Sequence, residues 1–284
     1  MARLNMVQAI NLALHQEMER DESVLVMGQD VGRNEGVFRV TAGLLDKFGE
    51  RRVIDTPLAE AGIAGTAMGM AIAGLRPVAE MQFSGFSYLA MGQIEANIAR
   101  YRSRTQGRWS APLVIRMPYG GGVRALEHHS ESREGMYATV LGLKVVLPSG
   151  PRNARALLAA SIRDPDPVVF MEPKHSYRAF KEEVPDEPEV AELGKARLVQ
   201  QGRDVTVVCW GSTVPVVKRA VDQVQRSRGA SIEVIDLQTV SPMDSDAIIE
   251  SVLESGGSVV FAPGGSLEQM ERIVLLPRGN EDLQ

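Results

Sequence analysis

Apolar positions in the first part of the chain alternate between two patterns. Met6, Ile10, Leu14 and Met18 recur at a helical period across residues 5–20. The run Ser23 to Met27 (SVLVM) is then continuously apolar and stops at Gly28 and the polar pair Gln29-Asp30, as a short buried strand would. The same alternation predicts a helix over 41–48, strands at 53–54 and 77–83, and a helix over about 88–101. It further predicts strands over 112–117 (PLVIRM) and 143–147 (LKVVL), a helix from Pro151 to about Arg163, and a strand over 167–171 (PVVFM). These strands lack the apolar–polar alternation of a half-exposed sheet because parallel strands are covered on both faces. The expected class is therefore α/β, a parallel sheet flanked by helices.

The pattern breaks at KEEVPDEPEVAE, an acidic stretch with two prolines that reads as a solvated linker. A second strand–helix series follows: it starts at 204–211 (DVTVVCWG), with strands over 231–237 and 258–262, a helix with Val214, Val217, Val221 and Val224 on one face, and a helix over 244–254. The expected division is a first α/β domain at 1–180, a linker at 181–194 and a second α/β domain at 195–284. The tail after Gly264 is too short to complete that second domain, which reads as incomplete.

Composition changes little in this picture. The 284 residues are 44% apolar and 24% charged, as in a soluble globular protein. A net charge of −5 disfavours nucleic acid as a partner, since that needs a basic stripe. The single Cys209 excludes an internal disulfide framework and suits a reducing compartment. The apolar run Ala67 to Leu75 is too short and glycine-rich to span a membrane. The N-terminus is amphipathic rather than signal-like, so the expected location is cytoplasmic.

The most unusual stretch is DTPLAEAGIAGTAMGMA, residues 55–71. Thr56 and Pro57 read as a helix cap followed by proline at the first helical position. Gly62, Gly65 and Gly69 each cost the helix roughly 1 kcal/mol against alanine, so something must approach its backbone closely. Glu60 either complements the helix dipole, worth about 0.3–1 kcal/mol, or is functional. His128 and His129 lie beyond the glycine turn at 120–122, on a loop leaving a strand end. Ligands of open α/β sheets bind at such ends, and an imidazole there can move protons near neutral pH; a solvated loop histidine fits the spacing as well. Phe83 and Phe86 in QFSGF either stack on a planar ring or pack in the core. Asp164-Pro165-Asp166-Pro167 reads first as a turn, with a hard-cation site as the other reading. No Gly-Lys-Ser/Thr follows the glycine turn and no Gly-x-Gly-x-x-Gly follows the first strand, so neither a P-loop nor a nicotinamide site is supported.

Together, DTPLAEAGIAGTAMGMAIAGLRPVAEMQF, PLVIRMPYGGG, EHHSES, GLKVVLPS and RDPDPVVFMEPK resemble the β subunits of thiamine diphosphate-dependent 2-oxo acid dehydrogenases, over residues 4–258. These are the decarboxylating components of the pyruvate and branched-chain complexes. The resemblance implies a thiamine diphosphate-binding, pyrimidine-type first domain and a transketolase C-terminal-like second one. It gives Glu60 the role of hydrogen-bonding the aminopyrimidine ring, which favours the imino tautomer whose nitrogen takes the proton from the thiazolium carbon. It places Leu58, Gln82 and Phe86 around that ring, with Phe86 as the stacking platform. His129, not His128, corresponds to the histidine of reductive acylation of the lipoyl group. Leu113, Ser161, Asp164 and Asp166 correspond to a structural potassium site. The chain lacks the Gly-Asp-Gly motif that holds diphosphate and Mg2+ in the family, as a β subunit should when the α subunit supplies it. The implied assembly is α2β2, serving a dihydrolipoyl acyltransferase core.

Pyruvate is the expected 2-oxo acid, from the QFSGFSY and ALEHHSE stretches; a branched-chain or acetoin enzyme is the alternative. The C-terminus departs from the family, where His-Glu-Ala-Pro and further residues usually follow the last strand. A truncated, non-catalytic partner of the α subunit is the rival reading.

Overall fold

The computed structural model describes residues 1–121, 125–255 and 258–262. Gly122 of the glycine turn, Arg124 and the tail from Gly264 lie outside the described residues.

The first helix, Met6–Arg20, starts where Asn5 and Gln8 cap each other reciprocally, each side chain accepting the other's backbone N–H at 3.0 Å. Its buried face of Met6, Ile10, Leu14 and Met18 packs on the helix Pro151–Arg163. Arg163 clamps the buried Glu17 carboxylate with two hydrogen bonds of 2.6 and 2.9 Å, joining the two helices at one end.

The first sheet contains β2 (Val24–Gly28), β3 (Val53–Asp55), β4 (Arg76–Glu80), β5 (Val114–Tyr119), β6 (Lys144–Val146) and β7 (Val168–Pro173), after a short β1 (Ala2–Leu4). These six strands are parallel and run in the order β6-β7-β5-β4-β2-β3. Helix 6–20 and helix 151–163 cover one face; the small-residue helix Glu60–Ile72 and the helical stretch 84–104 cover the other. The predicted helix over 88–101 is instead a 3-10 turn (Ser84–Ala90), a short α turn (Met91–Gln93), a π turn (Ile94–Ile98) and a last α turn (Tyr101–Arg104).

Two further expectations change. The helix expected from Thr56 begins at Glu60, with Ala59 as its cap residue. Thr56 N donates to Gly28 O at 3.0 Å, so the chain continues past β3 in extended form. The proline explains this: Pro57 pushes the residue before it out of the helical region. The acidic segment is also less free than a linker. Its β8 (Glu182–Val184) pairs antiparallel with β1, and Arg152 takes Glu189 in a bidentate pair.

The second sheet is formed by β9 (Arg197–Gln200), β10 (Val205–Cys209), β11 (Ile232–Asp236) and β13 (Val259–Ala262), in the order β13-β10-β11-β9 with β9 antiparallel. Between them, β12 (Thr239–Ser241) crosses over to pair antiparallel with β6, completing the edge of the first sheet. Ser149 Oγ and Arg197 both reach the buried Asp236 carboxylate, at 2.6 and 2.9 Å, so the two halves share polar contacts as well as a strand.

Glu134 sits at this joint. It is buried, and the indole N–H of Trp210 faces its carboxyl without closing a hydrogen bond of good geometry. Burial pushes the carboxyl up to about 7. The folded state then holds a proton that the unfolded state releases nearer 4.5, so stability is lost as pH rises between those values. Urea unfolding of Glu134→Gln should lack this loss; relative to it, the parent should forfeit on the order of 3 kcal/mol between the two ends of the window.

Candidate functional site

The site follows from strand order. After β2 the chain moves to β3 on one side, then returns past β2 to β4 on the other. The crevice between the carboxyl ends of β2 and β4 is a topological switch point, where open α/β sheets bind ligands. The expected residues leave from strand ends around it: Leu58 and Glu60 after β3, Gln82 and Phe86 after β4, His129 after β5.

Glu60 is the first residue of its helix and is only 5% exposed. One carboxyl oxygen, Oε2, is buried and makes no hydrogen bond among the described residues. A buried polar atom left unpaired costs about 1–3 kcal/mol, so the position suits a polar ligand atom more than a dipole-complementing surface acid. Leu58 stands exposed on the extended segment before it. Gln82 donates from Nε2 to Asp30 Oδ2 at 3.3 Å, bridging the switch from β4 to β2. With Nε2 engaged there, its Oε1 remains as acceptor.

Phe83, Phe86 and His129 form an aromatic group. The His129 ring meets Phe83 edge-on at 4.4 Å between centroids and Phe86 at 5.0 Å. His129 Nδ1 lies 2.8 Å from Leu126 O and 2.5 Å from Glu127 O. Carbonyls only accept, so Nδ1 carries the hydrogen and Nε2 is the nitrogen with a free lone pair. His128 differs: it has φ 60°, is more exposed, and its ring contacts Glu131 and Tyr88 instead. The structure thus brings Phe83, Phe86 and His129 into contact, and places Glu60 and Gln82 after β3 and β4, the two strands that flank β2.

Leu113, Ser161, Asp164 and Asp166 lie elsewhere, at the amino-terminal ends of β5 and β7. Leu113 O accepts from Val168 N at 3.0 Å, and Asp164 O from Arg76 at 3.1 Å. The Asp164 carboxylate pairs with Lys144 at 2.6 Å and that of Asp166 with Arg102 at 2.5 Å. Three cations therefore already converge on this corner. A cavity of about 1120 Å³ opens on the same side, between 95–107, 139–144 and Pro242, and contains Asp166 alone of the candidate residues.

Sequence reading missed the polar groups beneath the site. Arg116, inside the apolar run of β5, is 1% exposed and bonds both Glu80 and Glu172; Tyr177 donates its hydroxyl to Glu172. Burial alone would discharge Arg116, but the two carboxylates outweigh it and hold the guanidinium charged. Glu80 ends β4 one residue before Met81-Gln82, and Glu172 lies near the end of β7. The available signal was an arginine and a glutamate within otherwise apolar strands.

The outward face of the small-residue helix carries Gly62, Thr66 and Gly69, all exposed. Among the described residues, a Cβ added at Gly65 would meet only Gln93 within 4 Å, and one added at Gly62 only Ala59.

A pyrimidine-type α/β domain with its acid on the helix after the third strand, followed by a second α/β domain, defines a two-domain protein of transketolase type. Family models agree: the transketolase pyrimidine-binding domain matches residues 2–179 and the transketolase C-terminal domain 194–265. A solved structure, a split-gene transketolase described as an inactive β4 tetramer, superposes with a TM-score of 0.75 at 20% identity, over 92% of this chain and 79% of that one, which speaks for the fold alone. The chain belongs to the family of pyruvate dehydrogenase E1 component β subunits. It is 52% identical over 260 residues to the one from Acholeplasma laidlawii, spanning 92% of this chain and 79% of that protein. It is 50% identical to that of Bacillus subtilis over 92% and 80%. Among the described residues, no helix is long and apolar enough to cross a membrane.

Proposed function

We propose that this chain is the β subunit of the decarboxylating component of a 2-oxo acid dehydrogenase, acting on pyruvate and passing the acyl group to a lipoyl group of an acyltransferase core. The observation that carries the reading is Glu60, a buried carboxyl with an unpaired oxygen at the start of the helix that follows β3. Its first domain spans 1–180, joined through 181–194 to the second. The α partner completes an α2β2 assembly in the cytoplasm and holds the diphosphate and Mg2+ of the cofactor, and its backbone packs against Gly62, Thr66 and Gly69.

Leu58, Glu60, Gln82 and Phe86 fit the pyrimidine end of thiamine diphosphate, whose thiazolium carbon would supply the nucleophile for the 2-oxo acid. Glu60 would meet a ring nitrogen through Oε2, in the otherwise unpaired direction, and exchange a proton with it there. Gln82 presents Oε1 to an amino group, because its own amide N–H is engaged by Asp30. Phe86 offers an aromatic face and Leu58 an apolar cover. His129 Nε2 is poised to give or take a proton at the lipoyl sulfur, with Nδ1–H fixed on backbone carbonyls.

Co-expression with an α subunit, thiamine diphosphate and Mg2+ tests the reading. Pyruvate-dependent reduction of an artificial electron acceptor is expected. Turnover with branched-chain 2-oxo acids in its place would move the substrate assignment, and assembly without any turnover would favour the non-catalytic partner. Potassium at Leu113, Ser161, Asp164 and Asp166 belongs to the same proposal, although Arg76, Lys144 and Arg102 argue against it. Equal thermal midpoints in KCl and NaCl would remove it; a higher midpoint in KCl alone would keep it.

A further inference from the structure

One buried cation near the site has no part in the reading above. Lys174, the residue after β7, is 4% exposed, yet no carboxylate pairs with it among the described residues. Its ammonium donates instead to the backbone carbonyl of His129, and lies 5.3 Å from the centroid of the Phe83 ring. Desolvation lowers it to about 8. Holding a lysine dry with one carbonyl and one ring face as company is costly, and here the carbonyl belongs to the proposed proton-transfer residue.

The same loop is also fixed by other contacts. Gly85 packs so closely on His128 that a methyl group there would run into the His128 backbone carbonyl. Ser84 Oγ and Gly120 N each donate to Glu131 O at 2.8 Å. The backbone of 128–131 is therefore held by Ser84, Gly85 and Gly120 as well as by Lys174. Of these contacts, only the one from Lys174 falls on His129 itself.

We propose that Lys174 is a positioning residue for the acyl-transfer half-reaction: by binding the His129 carbonyl, it holds the imidazole against Phe83 and Phe86 with Nε2 facing the incoming lipoyl group. This rests on the role proposed for His129. The decarboxylation half-reaction depends on Glu60 and Gln82, which Lys174 does not touch. Losing Lys174 should therefore separate the two activities.

The test uses the assembled α–β enzyme with Lys174→Met, which keeps the length and removes the donor, and Lys174→Arg, which keeps a donor. His129→Ala is the reference. Two rates are read, pyruvate-dependent dye reduction and acetylation of a free lipoyl domain, together with hydrogen exchange of backbone amides 125–131. Lys174→Met should slow lipoyl acetylation at least about tenfold, leave dye reduction within about twofold, and speed exchange across 125–131; Lys174→Arg should recover part of each. Equal losses in both rates, or unchanged exchange with unchanged acetylation, would overturn the proposal. If Lys174→Met fails to assemble, Lys174→Arg alone decides: slower acetylation and faster exchange across 125–131 with dye reduction kept support it, while parental values throughout, or a loss of dye reduction matching the loss of acetylation, refute it. Should His129→Ala itself acetylate the lipoyl domain normally, the role of His129 falls, not merely that of Lys174.

Discussion

Glu60→Gln should lower pyruvate turnover of the assembled enzyme by about 10²–10⁴-fold, the usual worth of a positioned proton-transfer group, while the α–β assembly still forms. The substitution keeps the shape and the hydrogen-bonding capacity of the side chain but removes a proton that can be shared. Glu60 is buried at a helix start with an unpaired oxygen, and no cation among the described residues bonds it. A carboxylate serving only the helix dipole would lose about 0.3–1 kcal/mol of stability on the same change and leave turnover alone. Steady-state rates beside a sedimentation measurement of the assembly tell these apart. A variant with turnover within a factor of about two of the parent would remove Glu60 from its role.

The second large effect is expected away from the ligand. Arg116→Met should destabilise the first domain by about 3–5 kcal/mol, because it strands Glu80 and Glu172 as unpaired carboxylates in the core. For a domain of this size the midpoint of thermal unfolding should fall on the order of 10 °C. Adding Glu80→Gln and Glu172→Gln to the same chain should recover part of the loss, since the penalty comes from the uncompensated charges. Urea titrations of the three chains measure both effects. The network also matters to the site, because it fixes β4 and β7 at the ends from which Gln82 and Lys174 leave.

The parallel strands and the helices between them were legible because burial on both faces writes continuous apolar runs, as in VLVMG and VVFM. The helix 151–163 begins at Pro151 as its sequence announces. Legibility ended where an element is defined by its partner. β1, β8 and β12 are three-residue edge strands without a pattern of their own, and only pairing at long range makes them strands. The start of the Glu60 helix was read three residues early because Thr-Pro satisfies local capping rules, while the ladder bond from Thr56 to Gly28 O is a tertiary fact. Glu60 and His129 stood out by residue type and by resemblance. Lys174 and Arg116 did not, because a lysine after a strand and an arginine inside one gain meaning only from what surrounds them.

The central claim is that this chain supplies the pyrimidine half of a cofactor site whose diphosphate half belongs to a partner. Calorimetric titration of thiamine diphosphate with Mg2+ into the chain alone, and into its assembly with an α subunit, tests this most directly. The account predicts saturable binding by the assembly, with one cofactor for each α–β pair, and no measurable heat of binding for the chain alone. Binding by the chain alone as tight as by the assembly would contradict it.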